Sequence, residues 1–131
     1  MHDDRRRHRS EVPAEAARLY LQAVADRHDL DAVTLANEDG LLIAAHSRVP
    51  LDLPWVAAVG SVCAVRGGRG PALGSLVERI TGGRQLSSVQ MVLRGERLYL
   101  TAVGGPLLAR TQRDAAAAVE RILADSLPAA A

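Results

Sequence analysis

Apolar residues recur along this chain with two different spacings, one typical of helices and the other of strands. From about Pro13 to His28 they recur every three to four residues, and the fixed φ of proline suits the first turn of a helix. The same spacing returns after Asp52, which can cap a second helix that carries Pro54 in its first turn. Two amphipathic helices are therefore predicted in the first half of the chain.

A β-hairpin is predicted between these helices, within Asp31–Ser47. Two apolar runs, Ala32–Ala36 and Leu41–Ala45, flank the turn sequence Asn37–Gly40. Asn and Asp tolerate turn geometry, and glycine takes a positive φ without strain. Because the second run is nearly all apolar, both faces of the sheet are expected to be covered.

A second hairpin is predicted within Ser87–Gly104, with a two-residue turn at Gly95-Glu96. This turn places six apolar residues on one face, and a shift of one residue would break that agreement. The predicted pairs are Leu93 with Leu98, Met91 with Leu100, and Val89 with Ala102. The opposite face is mixed, which indicates partial cover there too, and it carries Gln90, Val92, Tyr99, Thr101 and Val103.

Two more helical patterns complete the set. Glycines and Pro71 interrupt the second helix, and helical spacing resumes from Leu73 to Ile80. The last helix is predicted from about Thr111 to Ser126. Consecutive hairpins separated by helices predict an α+β fold, in which helices sandwich one antiparallel sheet of four to five strands.

The predicted domain spans residues 11–127 of the 131-residue chain. Residues 1–10 form a polar tail that is expected to be disordered, and residues 128–131 form a frayed C-terminus. The sequence contains no apolar segment typical of a signal peptide, and no run reaches the roughly 18 apolar residues of a bilayer span. A cytoplasmic protein without membrane insertion is expected.

Composition argues against a nucleic-acid partner. The formal net charge is +1, so the chain has no strong overall field to attract a polyanion. The aromatic side chains are Tyr20, Trp55 and Tyr99, too few to form a platform on which bases could stack. Neither nucleic-acid binding nor a base-stacking surface is therefore expected.

The stretch from Leu30 to Ala44, LDAVTLANEDGLLIA, resembles the strand, acidic Asp-Gly turn and second strand of the roadblock/LC7 family. The similarity includes the helix before this stretch and the elements after it, over about residues 13–125. It implies a roadblock/profilin-like order, α-β-β-α-β-β-(β)-α. The family has five strands, and residues 75–80 would have to supply the fifth, although their spacing favours a helix. Bacterial members of this family regulate small Ras-like GTPases, so the resemblance implies a regulatory role.

Neither a phosphate loop nor a metal site is supported by its sequence context. The glycine-rich segment 67–70 lacks the Lys of a P-loop and favours a helix break. Four residues of the N-terminal tail have metal-ligating side chains, but no rigid element spaces them as ligands. They are His2, Asp3, Asp4 and His8. No cofactor and no metal is predicted.

A nucleophilic active site is also not predicted. Ser47, His46 and Asp52 contain the groups of a catalytic triad, but nothing in the sequence orders them. Cys63 lies in an apolar helical pattern and is expected to be a packed thiol. An arginine inserted into a GTPase site would have to come from a loop or an edge, and no candidate is favoured. The candidates are Arg48, Arg66, Arg69 and Arg94.

These observations and the resemblance predict a non-catalytic regulatory or scaffolding protein that forms a homodimer. It is expected to bind a small Ras-like GTP-binding protein or a larger assembly, and modulation of GTPase activity is one role open to it. The predicted interface consists of Trp55, Val59 and Val62 on the second helix, followed by Val92 and Tyr99 on the sheet. Trp55 could instead belong to the core. The alternative function is a PAS- or GAF-like sensor, which would need a pocket between sheet and helix with Gln90 and Thr101 as its polar groups.

Overall fold

The computed structural model describes the backbone of residues 2–66 and 71–126, and the side chains of residues 14–66, 74–122 and 124. Four helices and four strands make up this part of the chain. In chain order they are α1 (His2–His28), β1 (Ala32–Ala36), β2 (Leu42–Ser47), α2 (Leu53–Arg66), α3 (Pro71–Thr81), β3 (Leu86–Leu93), β4 (Glu96–Val103) and α4 (Ala109–Ser126).

The two hairpins lie side by side in one antiparallel sheet with the strand order β2-β1-β4-β3. The first strand of one hairpin pairs with the second strand of the other, and Leu35 lies opposite Leu100 at this junction. This confirms the predicted α+β fold. Residues 75–80 belong to α3, so the described part of the chain contains four strands and no fifth.

Helices cover both faces of the sheet. Alternate strand residues, among them Val33, Leu35 and Leu100, pack with residues of α1 and α4 in the larger core cluster. The opposite face packs against α2 in two smaller clusters, in which Val56 contacts Ala32 and Val103, and Ala57 contacts Ala36 and Tyr99. The mixed second face of the β3–β4 hairpin is therefore covered in part, as its apolar residues predicted: Tyr99 and Val103 are buried, whereas Gln90 and Val92 are exposed.

Helix α2 approaches the sheet most closely at Gly60. A Cβ atom built on Gly60 would lie 2.1 Å from Oγ1 of Thr101, a separation that two unbonded atoms do not reach. The Thr101 hydroxyl lies 3.0 Å from Oγ of Ser88, so a hydrogen bond satisfies it beneath the helix. Thr34 is also fully buried on this face, and its hydroxyl has no described partner. Only a glycine fits at position 60 of α2 at this distance from the sheet.

The first hairpin turns where the sequence predicted. Oδ1 of Asn37 accepts hydrogen bonds from the backbone N–H groups of Asp39 at 2.9 Å and Leu41 at 3.0 Å. Gly40 has a φ of +79° and lies against α2. The expected cover on both faces of the second strand is wrong at its start, since β2 is an edge strand and its first residues, Leu42 and Ile43, are exposed.

The second hairpin has a different turn from the predicted one. Leu93 lies opposite Glu96 rather than Leu98, which places Arg94 and Gly95 in the turn with φ values of 54° and 80°. Positive φ at both central residues defines the turn type that matches the twist of paired strands. The predicted pairs are thus wrong by two residues. A shift by two leaves every side chain on its predicted face.

The helix boundaries also differ from the predicted ones. α1 begins at His2 rather than near Pro13, so it includes most of the stretch that was expected to be disordered. α4 begins at Ala109 rather than Thr111. α1 ends at His28, where Asp29 has a φ of 53° and the N–H of Leu30 donates to the carbonyl of Ala25 at 2.9 Å. The domain limits at residues 11 and 127 stay a prediction.

We expect Gly60→Ala to lower the free energy of unfolding by about 2 kcal/mol or more, because the new methyl group overlaps Thr101. Gly74→Ala is the matched control, since nothing lies within 4 Å of a Cβ at this exposed position of α3. The control is expected to raise the same free energy by about 0.5–1 kcal/mol. Urea unfolding measures both, and similar effects of the two substitutions would contradict the close contact.

Candidate protein-binding surface

An apolar stripe runs along the side of α2 that faces away from the sheet. Trp55, Val62 and Val65 are 54%, 42% and 64% exposed. Their spacing of seven and three residues places them on one side of the helix. Val92, on the edge strand β3, is 60% exposed. Isolated exposed apolar residues are common, but large ones in a row on one helix are typical of an interaction surface.

The start of α2 holds the backbone of Trp55 in place. The Asp52 carboxylate accepts a hydrogen bond from the Trp55 backbone N–H at 3.3 Å, and the Asp52 carbonyl accepts one from Val56 at 3.0 Å. Asp52 is therefore the N-cap that the sequence predicted. The cap fixes the first turn of α2 and, with it, the position from which the indole projects.

The structure separates the five predicted interface residues into two groups. Trp55, Val62 and Val92 are exposed, whereas Val59 and Tyr99 are each only 4% exposed and pack inside this chain. Val59 and Tyr99 are buried where α2 packs on the sheet, so they do not belong to the candidate surface. Trp55 does not belong to the buried core. Sequence reasoning missed Val65, although its position three residues after Val62 could have identified it.

The groups proposed for a sensor pocket do not converge. Gln90 is exposed on β3, whereas Thr101 lies beneath α2 with its hydroxyl on Ser88. The region between sheet and helix at this point is filled by the close approach of Gly60. The described residues therefore do not form the internal polar pocket that a PAS- or GAF-like function would need.

The groups of a catalytic triad have other partners. The Ser47 hydroxyl donates to the backbone carbonyl of Val49, and the Asp52 carboxylate caps α2. No described hydrogen bond joins Ser47, His46 and Asp52. Residues 67–70 lie outside the described part, as do the side chains of the metal-ligand candidates in the N-terminal tail. Where side chains are described, no three acidic, His or Cys residues come together as a metal site.

The arginine candidates occupy unrelated places. Nη1 of Arg48 lies 2.9 Å from Oδ1 of Asp29. Arg94 occupies the turn of the second hairpin, and Arg66 is exposed at the end of α2. Arg69 lies outside the described residues. None of the described candidates is distinguished as an inserted arginine.

Two solved structures share this architecture. Myxococcus xanthus MglB superposes with a TM-score of 0.57 at 13% sequence identity, over 89% of this chain and 94% of its own. A second structure, MglB with tetrameric arrangement, gives 0.56 at 18% identity, over 88% and 93%. The chain has the fold of MglB. Because MglB is of the roadblock/LC7 type, the fold that the Leu30–Ala44 resemblance implied is confirmed. The sequence itself matches no family model and no curated protein.

The MglB fold explains the position of the stripe. In this chain α1 and α4 pack together on one face of the sheet and α2 packs on the other. Among the described residues, no helix covers the outer side of α2 along Val62 and Val65. None of the described helices combines the length and the apolar character that a bilayer crossing requires.

Cys63 is partly buried near the end of α2, and burial raises the pKa of its thiol. Because the thiolate is the reactive form, less of it is present at a given pH than in a free cysteine. We expect iodoacetamide to alkylate Cys63 with a pH midpoint above that of a free cysteine, and to react at the ordinary midpoint after urea unfolding. A midpoint below the free-thiol value in the folded protein would contradict this assignment.

Proposed function

We propose that this chain is a cytoplasmic, non-catalytic regulatory or scaffolding protein that forms a homodimer and binds a small Ras-like GTPase. The apolar stripe on α2, exposed on the fold of MglB, is the observation that carries the proposal. The family resemblance supports the GTPase partner, since bacterial roadblock/LC7 proteins regulate such enzymes.

The chemistry of the stripe favours a second protein as its cover. Trp55, Ala58, Val62 and Val65 present no charged group, and a large aromatic residue stands at one end. Interface centres are depleted in charge and enriched in Trp. Val92 extends the apolar surface to the neighbouring sheet edge, which supports a contact that includes both elements.

A second copy of the same chain is always available to pack against the stripe on α2. A two-fold dimer brings the same surface together from both copies, so an apolar stripe meets an apolar stripe. One of the two similar structures is described as MglB with tetrameric arrangement, which supports the proposal of self-association. For this chain we propose the dimer as the basic unit, with the GTPase bound to it.

We expect the wild-type protein to sediment as a dimer at micromolar concentration. Val62→Asp is expected to raise the dissociation constant of the dimer roughly tenfold or more, because the substitution buries a carboxylate in the interface. Leu19→Asp is the matched control, since Leu19 is also exposed (53%, against 42% for Val62) but lies on α1, on the other side of the sheet. Circular dichroism verifies that both variants are folded. A monomeric wild type, or a Val62→Asp dimer of unchanged affinity, would refute the proposed dimer.

The GTPase is tested separately, with a small GTP-binding protein recovered by pulldown and then purified. We expect calorimetry to show binding that differs roughly tenfold or more between its GDP form and its form with a non-hydrolysable GTP analogue, because a regulator must distinguish the two states. Trp55→Ala is expected to weaken this binding through its effect on the dimer to which the GTPase binds, whereas Leu19→Ala is expected to leave it unchanged. Equal affinity for both nucleotide forms would count against a regulatory role.

A further inference from the structure

An open cleft of about 580 Å³ lies at the amino end of α2, between that helix and the second half of α3. Its lining is mainly apolar, with Leu51, Leu76 and Ile80 beside the indole of Trp55. This volume falls within the range of small-molecule sites, which are mostly apolar with a few polar groups that orient the ligand. The cleft lies between two helices at the surface and is distinct from the region between α2 and the sheet.

The charged side chains that line the cleft differ in whether they have hydrogen-bond or ion-pair partners. Nε of Arg84 lies 3.2 Å from Oδ2 of Asp31, and Nη1 of Arg84 donates to the carbonyl of Thr81 at 3.1 Å. Asp52 is held as the cap of α2. Arg79 is exposed and has no ion-pair partner among the residues whose side chains are described. Among the side chains that the structure describes, Arg79 is therefore the guanidinium of this lining without an ion-pair partner, and it can bind an anion beside the apolar wall.

The charged side chains and the apolar wall of the cleft restrict which ligand can bind. A guanidinium forms two parallel hydrogen bonds with a carboxylate, and these are stronger than hydrogen bonds between neutral groups. The Asp52 carboxylate on the same lining disfavours a ligand that carries a second negative charge. The apolar wall and Trp55 favour a ligand whose remaining body is hydrocarbon.

We propose that this cleft binds a small monocarboxylate with an apolar body, such as a medium-chain or aryl-substituted acid. The carboxylate pairs with Arg79, and the hydrocarbon lies against Trp55, Leu76 and Ile80. This ligand site goes beyond the proposed function, and because Trp55 belongs both to the cleft and to the stripe, a bound acid and a second copy of the chain compete for that side chain.

Trp55 supplies the readout, since it is the only tryptophan in the chain and it lines the cleft. The full-length protein is titrated with octanoate, cyclohexanecarboxylate and phenylacetate while the Trp55 fluorescence is recorded. Octanol, octylammonium and inorganic phosphate are the comparison probes. We expect a saturable change with at least one of the three acids below about 10 mM, and binding roughly tenfold weaker for every comparison probe.

Arg79→Gln is expected to remove that preference, so that octanoate binds no better than octanol. Arg94→Gln is the matched control, because Arg94 is also exposed but lies in the turn of the second hairpin, outside the cleft. The proposal is overturned if none of the three acids saturates, if octanol or phosphate binds as well as the acids, or if Arg79→Gln keeps the preference. The titration is repeated on Val62→Asp, which is expected to dissociate, so that a dimer covering Trp55 cannot hide the site. The oligomeric state of this variant is measured independently, and therefore failure of the ligand site is distinguished from failure of the dimer.

Discussion

Contact between α2 and the sheet at Gly60 is the constraint on which the candidate surface depends. The missing side chain lets the helix backbone lie directly over Thr101, and this closeness buries Val56, Ala57 and Val59 beneath the helix. Side chains project from every side of a helix. When one side of α2 packs closely on the sheet, the opposite side is therefore exposed. The same contact thus covers the second face of the sheet and exposes Trp55, Val62 and Val65. A bulkier residue at position 60 would lift the helix and disturb both.

Much of the fold could be predicted because the pattern of apolar residues reports which face a residue occupies. The alternation in Ser87–Gly104 identified both faces of the hairpin correctly, and the Asn37–Gly40 sequence identified the first turn. The pattern does not report how far one strand is shifted along the other in steps of two, because every such shift preserves the faces. The turn at Arg94 requires a positive φ at a residue that rarely adopts it, and no feature of the sequence indicates this.

The candidate surface was only partly predictable for a related reason. A helical stripe identifies residues that are apolar, but Val59 and Val62 look alike in sequence, and only the packing of α2 on the sheet shows which of them is buried. Tyr99 could belong to either the core or an interface until α2 was placed over it. The cleft was not predictable at all, because Trp55 and Arg79 come from two helices whose relative position no local pattern specifies.

β2 pairs with β1 on one side only and therefore forms one edge of the sheet. This edge is poorly protected. Natural edge strands usually carry a lysine, a proline or an inward charge that prevents another chain from adding to them. β2 reads Leu-Ile-Ala-Ala-His-Ser, and its one protective irregularity in the described register is the unpaired Ile43. A strand from another chain could therefore add at this edge without any loss of the packed core, so the tendency of the protein to aggregate depends on these six residues.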